Sequence, residues 1–365
     1  MVKSAVWLRA LFLIAWLGVV AQAEAALKPA EEAALDALAK EAVGKGQTAG
    51  LVVAVGEVGK PPVVHAYGFA NLEWQAATTA DTVFRVGSIT KQFASACILL
   101  LAEQKKLSLD DKLSKYFPEF PRAGEVSIRQ LLNHTSGVHS YPGRTEATIV
   151  RAGISVADMV KHLGGLGYDF DPGTNWDYSN SNYFLIGAII EKVSGQTFRD
   201  FAKERLFQPL GLSQTAVDRN QDVVPHRATG YERDRAKPGT YVNAVYSDMS
   251  VPGGAGALRA SASDLIKWTE ALHGGRVLSA ASYKEMTTVA RVPGKDDVFY
   301  GLGLWLKPEQ GHPLISHNGG IDGFESNLVY LPERKMTLVI LTNTQNGAGE
   351  LRAKMLGVLF GSAHE

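Results

Sequence analysis

Apolar and polar positions change their period along the chain, and the changes divide it. Over 30–43 the residues Ala33, Ala34, Leu38 and Val43 fall close to one face of a 3.6-residue repeat, which predicts a helix. Two short β-branched runs follow, 50–56 and 63–69, joined by a Gly-, Lys- and Pro-containing stretch, the pattern of a hairpin. Strand patterns return only near the other end, at 300–306, 313–317, 325–331 and 336–342, before a closing helical period at 350–360. Between them helical periods dominate, at 92–104, 154–163, 182–194, 198–206 and 263–272. Strands, then helices, then strands predict an α+β fold. Its antiparallel sheet is built from the N- and C-terminal segments and flanked by helices, with a mainly helical region inserted. The sheet part is expected over 24–91 and 291–365, and the helical part over 92–290. The Gly-, Pro- and charge-rich stretch 230–240 predicts a long exposed loop.

The first residues carry a different pattern. Lys3 and Arg9 precede an apolar run from Ala10 to Val20, and Ala21-Gln22-Ala23 follows it. The run is short for a membrane span, which needs roughly 20 apolar residues, and a small-x-small site follows at once. The layout is that of a secretory leader over 1–23, so the mature chain is expected to be exported, periplasmic and without a membrane anchor. Lys plus Arg and Asp plus Glu both number 37, and loss of 1–23 leaves a net charge of −2. No basic surplus exists to track a phosphate backbone, which argues against a nucleic-acid partner. The single cysteine, Cys97, cannot form an internal disulfide or a thiolate metal site, and reads as a small core side chain on a helical stripe.

Three segments can carry chemistry. Ser88-Ile89-Thr90-Lys91 opens a predicted helix, where positions i and i+3 share a face, so hydroxyl and amine can point together. A desolvated, neutral lysine beside a serine can accept its proton. By itself the spacing equally describes a serine cap with a surface lysine. The second segment, 171–180, is a turn-rich loop that ends in Tyr178-Ser179-Asn180 just before an apolar helix. The third ends a strand in His317-Asn318-Gly319-Gly320, where glycines let another backbone or a ligand approach closely.

In this order and spacing the three segments resemble the serine β-lactamase and penicillin-binding-protein family, in its class C-like branch. The stretches Leu131-Leu132-Asn133-His134-Thr135-Ser136-Gly137, Gly253-Gly254-Ala255-Gly256 and Tyr300-Gly301-Leu302-Gly303-Leu304-Trp305 extend the resemblance over nearly the whole mature chain. It implies a β-lactamase/transpeptidase-like fold and an acyl-enzyme mechanism without cofactor or metal. Ser88 matches the family nucleophile, Lys91 the amine that activates it, and Tyr178 the general base that shares proton transfer. Asn180 matches the asparagine that holds the substrate amide or the lysine. His317 and Gly319 fall in the third motif, beside the substrate, and backbone N–H groups of Ser88 and Gly320 form the oxyanion hole. Penicillin-destroying members usually carry Lys-Thr-Gly where this chain has His317-Asn318-Gly319. A histidine, with an ordinary pKa of about 6.5, weakens the attraction for a substrate carboxylate. The expected activity is therefore that of an esterase or D-amino-acid peptidase or carboxypeptidase on a small-molecule or peptide substrate. The alternatives are a true β-lactamase and a slow, penicillin-binding-like binding or sensor protein.

Other constellations carry less. No Gly-x-Ser-x-Gly elbow occurs. His134 and His139 lack the spacing of a zinc hydrolase. Lys237-Pro238-Gly239 imitates the third motif, but proline suits a loop better than a central strand.

Overall fold

The computed structural model describes residues 26–141 and 147–361. The expected leader and its cleavage site lie outside the described residues. The chain begins with α1 (Pro29–Gly44) and runs through β1 (Gly50–Glu57), β2 (Val63–Asn71), β3 (Ala76–Ala77) and β4 (Phe84–Arg85). Helices follow: α2 (Thr90–Glu103), α3 (Ile128–Leu132), α4 (Ala147–Ala152), α5 (Val156–Leu166), α6 (Asn180–Ser194) and α7 (Phe198–Ala202). Short strands then alternate with helices: β5 (Ala216–Val217), β6 (Tyr231–Arg233), β7 (Tyr241–Asn243), α8 (Gly253–Gly256), β8 (Leu258–Ala260), α9 (Ala262–His273) and α10 (Ala280–Met286). The chain closes with β9 (Ile315–Ile321), β10 (Phe324–Leu331), β11 (Met336–Thr342) and α11 (Gly349–Phe360).

Six strands form the main sheet in the order β3-β2-β1-β11-β10-β9. All its pairings are antiparallel, and β1 lies against β11 with Val53 opposite Ile340, so both ends of the chain share one sheet as the pattern predicts. β1 is buried along nearly its whole length because helices cover both faces of the sheet. Leu51, Val53 and Val55 pack with Leu35 and Ala39 of α1 and Met355 and Leu359 of α11. The alternate residues Val52 and Ala54 belong to the other core, with Phe93 of α2 and Ile266 of α9. This two-sided burial makes Gly50–Glu57 read as a continuous apolar run rather than an alternating one.

α2 is buried almost all round, which marks a central helix rather than an amphipathic surface one. Phe93 stacks on Trp268 with ring centroids 4.0 Å apart, and the Trp268 indole N–H donates to Gln92 Oε1 at 2.9 Å. These contacts anchor the first turns of α2, the part that carries Lys91.

Three expectations need correction. Residues 300–306 form no strand; Tyr300 and Trp305 make an isolated bridge, and Trp305 a second one with Ser316. Residues 230–240 are not wholly loop, since β6 begins at Tyr231 and pairs with β7. The helix expected over 198–206 is α7 followed by a π-helical turn, Lys203–Phe207. Among the described residues no helix is long and apolar enough to cross a membrane.

Candidate active site

Ser88 stands in a 3-10 turn, Gly87–Ile89, that leads directly into α2. The turn is held against β9. Gly87 has φ +49°, and a Cβ there would lie 2.9 Å from the Gly320 nitrogen, so only glycine suits both the left-handed backbone and the approach. Gly319 is equally confined, since its Cβ would lie 2.0 Å from the Val86 carbonyl oxygen and 2.9 Å from the Ser88 nitrogen. The Ser326 hydroxyl donates to the Val86 carbonyl at 2.8 Å and fastens β10 to the same turn. Close backbone packing thus brings the Ser88 turn and the β9 strand side by side, 230 residues apart in sequence.

Lys91 follows one helical turn later and is fully buried. Its Nζ lies 3.0 Å from Ser88 Oγ, 2.9 Å from Asn180 Oδ1 and 2.8 Å from the Ala255 carbonyl oxygen in α8. No carboxylate is among these partners. Burial therefore pushes the amine well below its ordinary value. Nζ also sits 4.7 Å from the centroid of the Tyr178 ring. Tyr178 shares a side-chain hydrogen bond with Ser88, and burial, which outweighs that bond, pushes its phenol up. The Asn180 amide donates to the Tyr141 carbonyl at 3.2 Å, which turns Oδ1 toward Lys91. Ser88, Asn180 and Gly320 line a cavity of about 290 Å³. A larger cavity of about 870 Å³ lies along α6 and α7 and contains none of these groups, so volume does not locate the chemistry.

His317 and Gly319 are placed behind the cavity wall rather than on it. His317 is 1% exposed. Its Nδ1 lies 2.6 Å from the Asn318 carbonyl, which can only accept, so Nδ1 carries the proton and Nε2 accepts from the Tyr300 hydroxyl at 2.9 Å. Burial lowers its pKa to about 3. The third motif contributes Gly320 to the cavity and a neutral, fully used imidazole to its support. Sequence reasoning missed Tyr300 as the partner of His317, because a contact across 17 residues of irregular chain leaves no periodic trace.

His134 was also legible only as part of a familiar stretch. It is buried, its ring centroid 4.5 Å from that of Tyr178 and 4.7 Å from that of Tyr300. Its Nδ1 accepts from the Ser179 backbone N–H at 3.2 Å, so the ring braces the Tyr178–Asn180 corner. His139 instead pairs with Asp169 near the surface, 2.8 Å away. The two histidines therefore serve separate structures, and among the described residues no three His, Cys, Asp or Glu side chains gather as a metal site. Cys97 is buried in the core, and burial raises its thiol. Lys237 and its neighbours lie exposed between β6 and β7, away from the cavity.

With this geometry in view, comparison with known proteins gives one consistent answer. The beta-lactamase family model matches residues 35–359. Penicillin-binding protein 4* of Bacillus subtilis is 31% identical over 322 residues, covering 82% of this chain and 70% of that protein. A D-aminopeptidase of Brucella anthropi is 27% identical, covering 86% of this chain but only 59% of its own length. Among solved structures, the D-amino acid amidase of Ochrobactrum anthropi SV3 complexed with L-phenylalanine amide superimposes with a TM-score of 0.80 at 25% identity, covering 92% of this chain and all of that one. The chain belongs to the beta-lactamase family, on the serine-hydrolase side shared by penicillin-binding proteins and D-amino-acid amidases.

Proposed function

We propose that this protein is an exported serine hydrolase that cleaves ester or amide bonds of small amino-acid or peptide substrates through an acyl-enzyme on Ser88. The observation that carries the reading is the setting of Lys91, a fully buried amine 3.0 Å from Ser88 Oγ with no carboxylate among its partners. A protonated amine has three donors and no acceptor, whereas a neutral one has two donors and a lone pair. Three oxygens surround Nζ, those of Ser88, Asn180 and Ala255; once the amine is neutral, Asn180 Oδ1 and the Ala255 carbonyl take its two donors and its lone pair can receive the Ser88 hydroxyl proton. A buried amine without a counter-ion favours that neutral form.

The steps follow from these positions. Ser88 Oγ attacks the substrate carbonyl, an Oγ–C bond forms, and the serine proton passes to Lys91 Nζ. Charge gathers on the carbonyl oxygen, where the backbone N–H groups of Ser88 and Gly320 stabilise it. Collapse breaks the bond to the leaving group, which takes a proton relayed from Lys91 through the Tyr178 hydroxyl. Water then attacks the acyl carbon, its proton passes through Tyr178 and Lys91, and as the Oγ–C bond breaks Ser88 Oγ takes a proton back from Lys91 and the acid departs. Tyr178 keeps its proton in the resting site because burial raises its pKa, so the first proton goes to Lys91 and Tyr178 serves as the relay.

Two further observations support the choice of substrate. The names of the relatives include D-aminopeptidase and D-amino acid amidase. His317, buried and neutral, offers no cation to a β-lactam or peptide carboxylate. Export rests on the leader pattern of Lys3, Arg9 and the Ala10–Val20 run. A fluorophosphonate probe is expected to label the mature protein on Ser88, and Ser88→Ala to abolish both the label and hydrolysis of nitrophenyl esters while the fold persists. Labelling that survives the substitution sinks the nucleophile assignment. A label that forms without turnover favours the slow binding protein instead.

A further inference from the structure

The cavity in front of Ser88 has an uneven charge. Among its described lining residues Asp322, in the turn between β9 and β10, is the only charged side chain. The remaining wall is apolar or neutral, with Val150, Val251 and Ile321 on it. Neither Lys91, held neutral by burial, nor His317, buried behind the wall, sets a positive charge against that carboxylate. Asp322 is partly buried, and burial together with Glu232 raises its pKa against a hydrogen bond from the Ser247 hydroxyl and the weaker pull of Arg85, so a cation placed beside the carboxylate would relieve it. Arg85 is itself committed to Asp218, its Nε 3.0 Å from the carboxylate. Asp322 is thus a partly desolvated carboxyl group with no committed cation among the described residues, two positions along the chain from the Gly320 N–H.

We propose that Asp322 is a specificity-determining residue that binds a cationic amine on the acyl part of the substrate, the free ammonium of an amino-acyl amide, ester or peptide N-terminus, and disfavours a carboxylate at that place. The inference rests on the acyl-enzyme reading above and names its substrate class. An α-ammonium lies two bonds from the carbonyl carbon that Ser88 attacks, and it stays with the acyl group through both halves of the reaction. The carboxylate therefore acts in acylation and in deacylation. Charge-assisted hydrogen bonds of this kind are the strong ones in a site shielded from water.

The test compares D-alanine p-nitroanilide with its N-acetyl and N-succinyl derivatives, which share a leaving group and differ only at the amine. The unsubstituted protein is expected to favour the free amine. Asp322→Asn is expected to lower the ratio of kcat/KM between free and N-acetylated substrate by about tenfold or more. Asp322→Lys is expected to shift preference toward the N-succinyl substrate. A ratio that stays within about twofold in both folded variants overturns the assignment. Failure of the unsubstituted protein to cleave any of the three while Ser88 still takes the fluorophosphonate label overturns the assignment alone. Failure of labelling as well overturns the hydrolase reading with it.

Discussion

Two buried polar clusters in this molecule solve the same problem in opposite ways. Around Ser88, the groups Lys91, His134, Tyr300 and His317 are buried and Tyr178 is half-buried, and no carboxylate is hydrogen-bonded to Lys91 or His317. Burial then pushes each pKa toward the neutral form: amine and imidazoles down, phenols up. The second cluster joins β4, β5, β8 and the loop after β5. There the Asp218 carboxylate, fully buried, takes Arg85 at 3.0 Å, Arg259 at 2.9 Å and Arg227. Asp222 takes Arg199 at 2.7 Å and Arg219 at 2.9 Å. Burial tends to raise the Asp222 pKa, but its hydrogen bonds to Arg199 and Arg219 win and lower it to about 2. Burial without counter-ions yields neutral groups able to exchange protons; burial with them yields fixed charges that tie strands together. On the proposed function the first arrangement serves reaction, whereas the second serves structure.

The comparison predicts where each cluster breaks. Asp218→Asn leaves three guanidinium groups around a neutral amide, and removal of one partner from a buried network costs about 3–5 kcal/mol. Denaturant unfolding is expected to show a loss of that size. A loss below about 1 kcal/mol, the scale of an exposed pair, would reduce the cluster to surface decoration. A smaller effect is expected from acid. Because the folded pKa of Asp222 is lowered to about 2 from 3.8, its contribution is complete above pH 4 and is lost as pH falls through 2. The difference is worth about 2 kcal/mol. Asp222→Asn should flatten that part of the stability curve between pH 4 and 2. An unchanged slope would show that the arginines do not hold this carboxylate ionised.

The two clusters also differ in how much of them could be read from sequence. Ser88 and Lys91 stand three positions apart at one helix start, and Tyr178 with Asn180 ends a turn-rich loop, so spacing and order, read with the family resemblance, singled them out as candidates that the structure places together. β1 and β11 were legible because burial on both faces turns them into unbroken apolar runs. The arginine cluster left no trace, since its charges come one at a time from positions 85, 199, 219, 227 and 259. Tyr300 lies outside any strand: it makes only an isolated bridge with Trp305, Leu302 and Leu304 join the main core, and its hydroxyl meets His317 instead. His317 itself was legible as a motif residue, but its retreat behind the wall was not, because the hydroxyl that draws it inward lies outside the motif. Asp322 follows the same motif directly and was passed over, since an Asp-Gly pair between two strands has the ordinary appearance of a turn.

The central claim is that Lys91 is a neutral base because it is buried without a counter-ion. It is tested most directly by titrating protein labelled with ¹³C at lysine Cε, the Lys91 signal being assigned by its loss in Lys91→Met. The account predicts that this one lysine titrates well below the ordinary 10.5 and in step with the acid limb of kcat/KM. A Lys91 midpoint at or above 10.5 would contradict it.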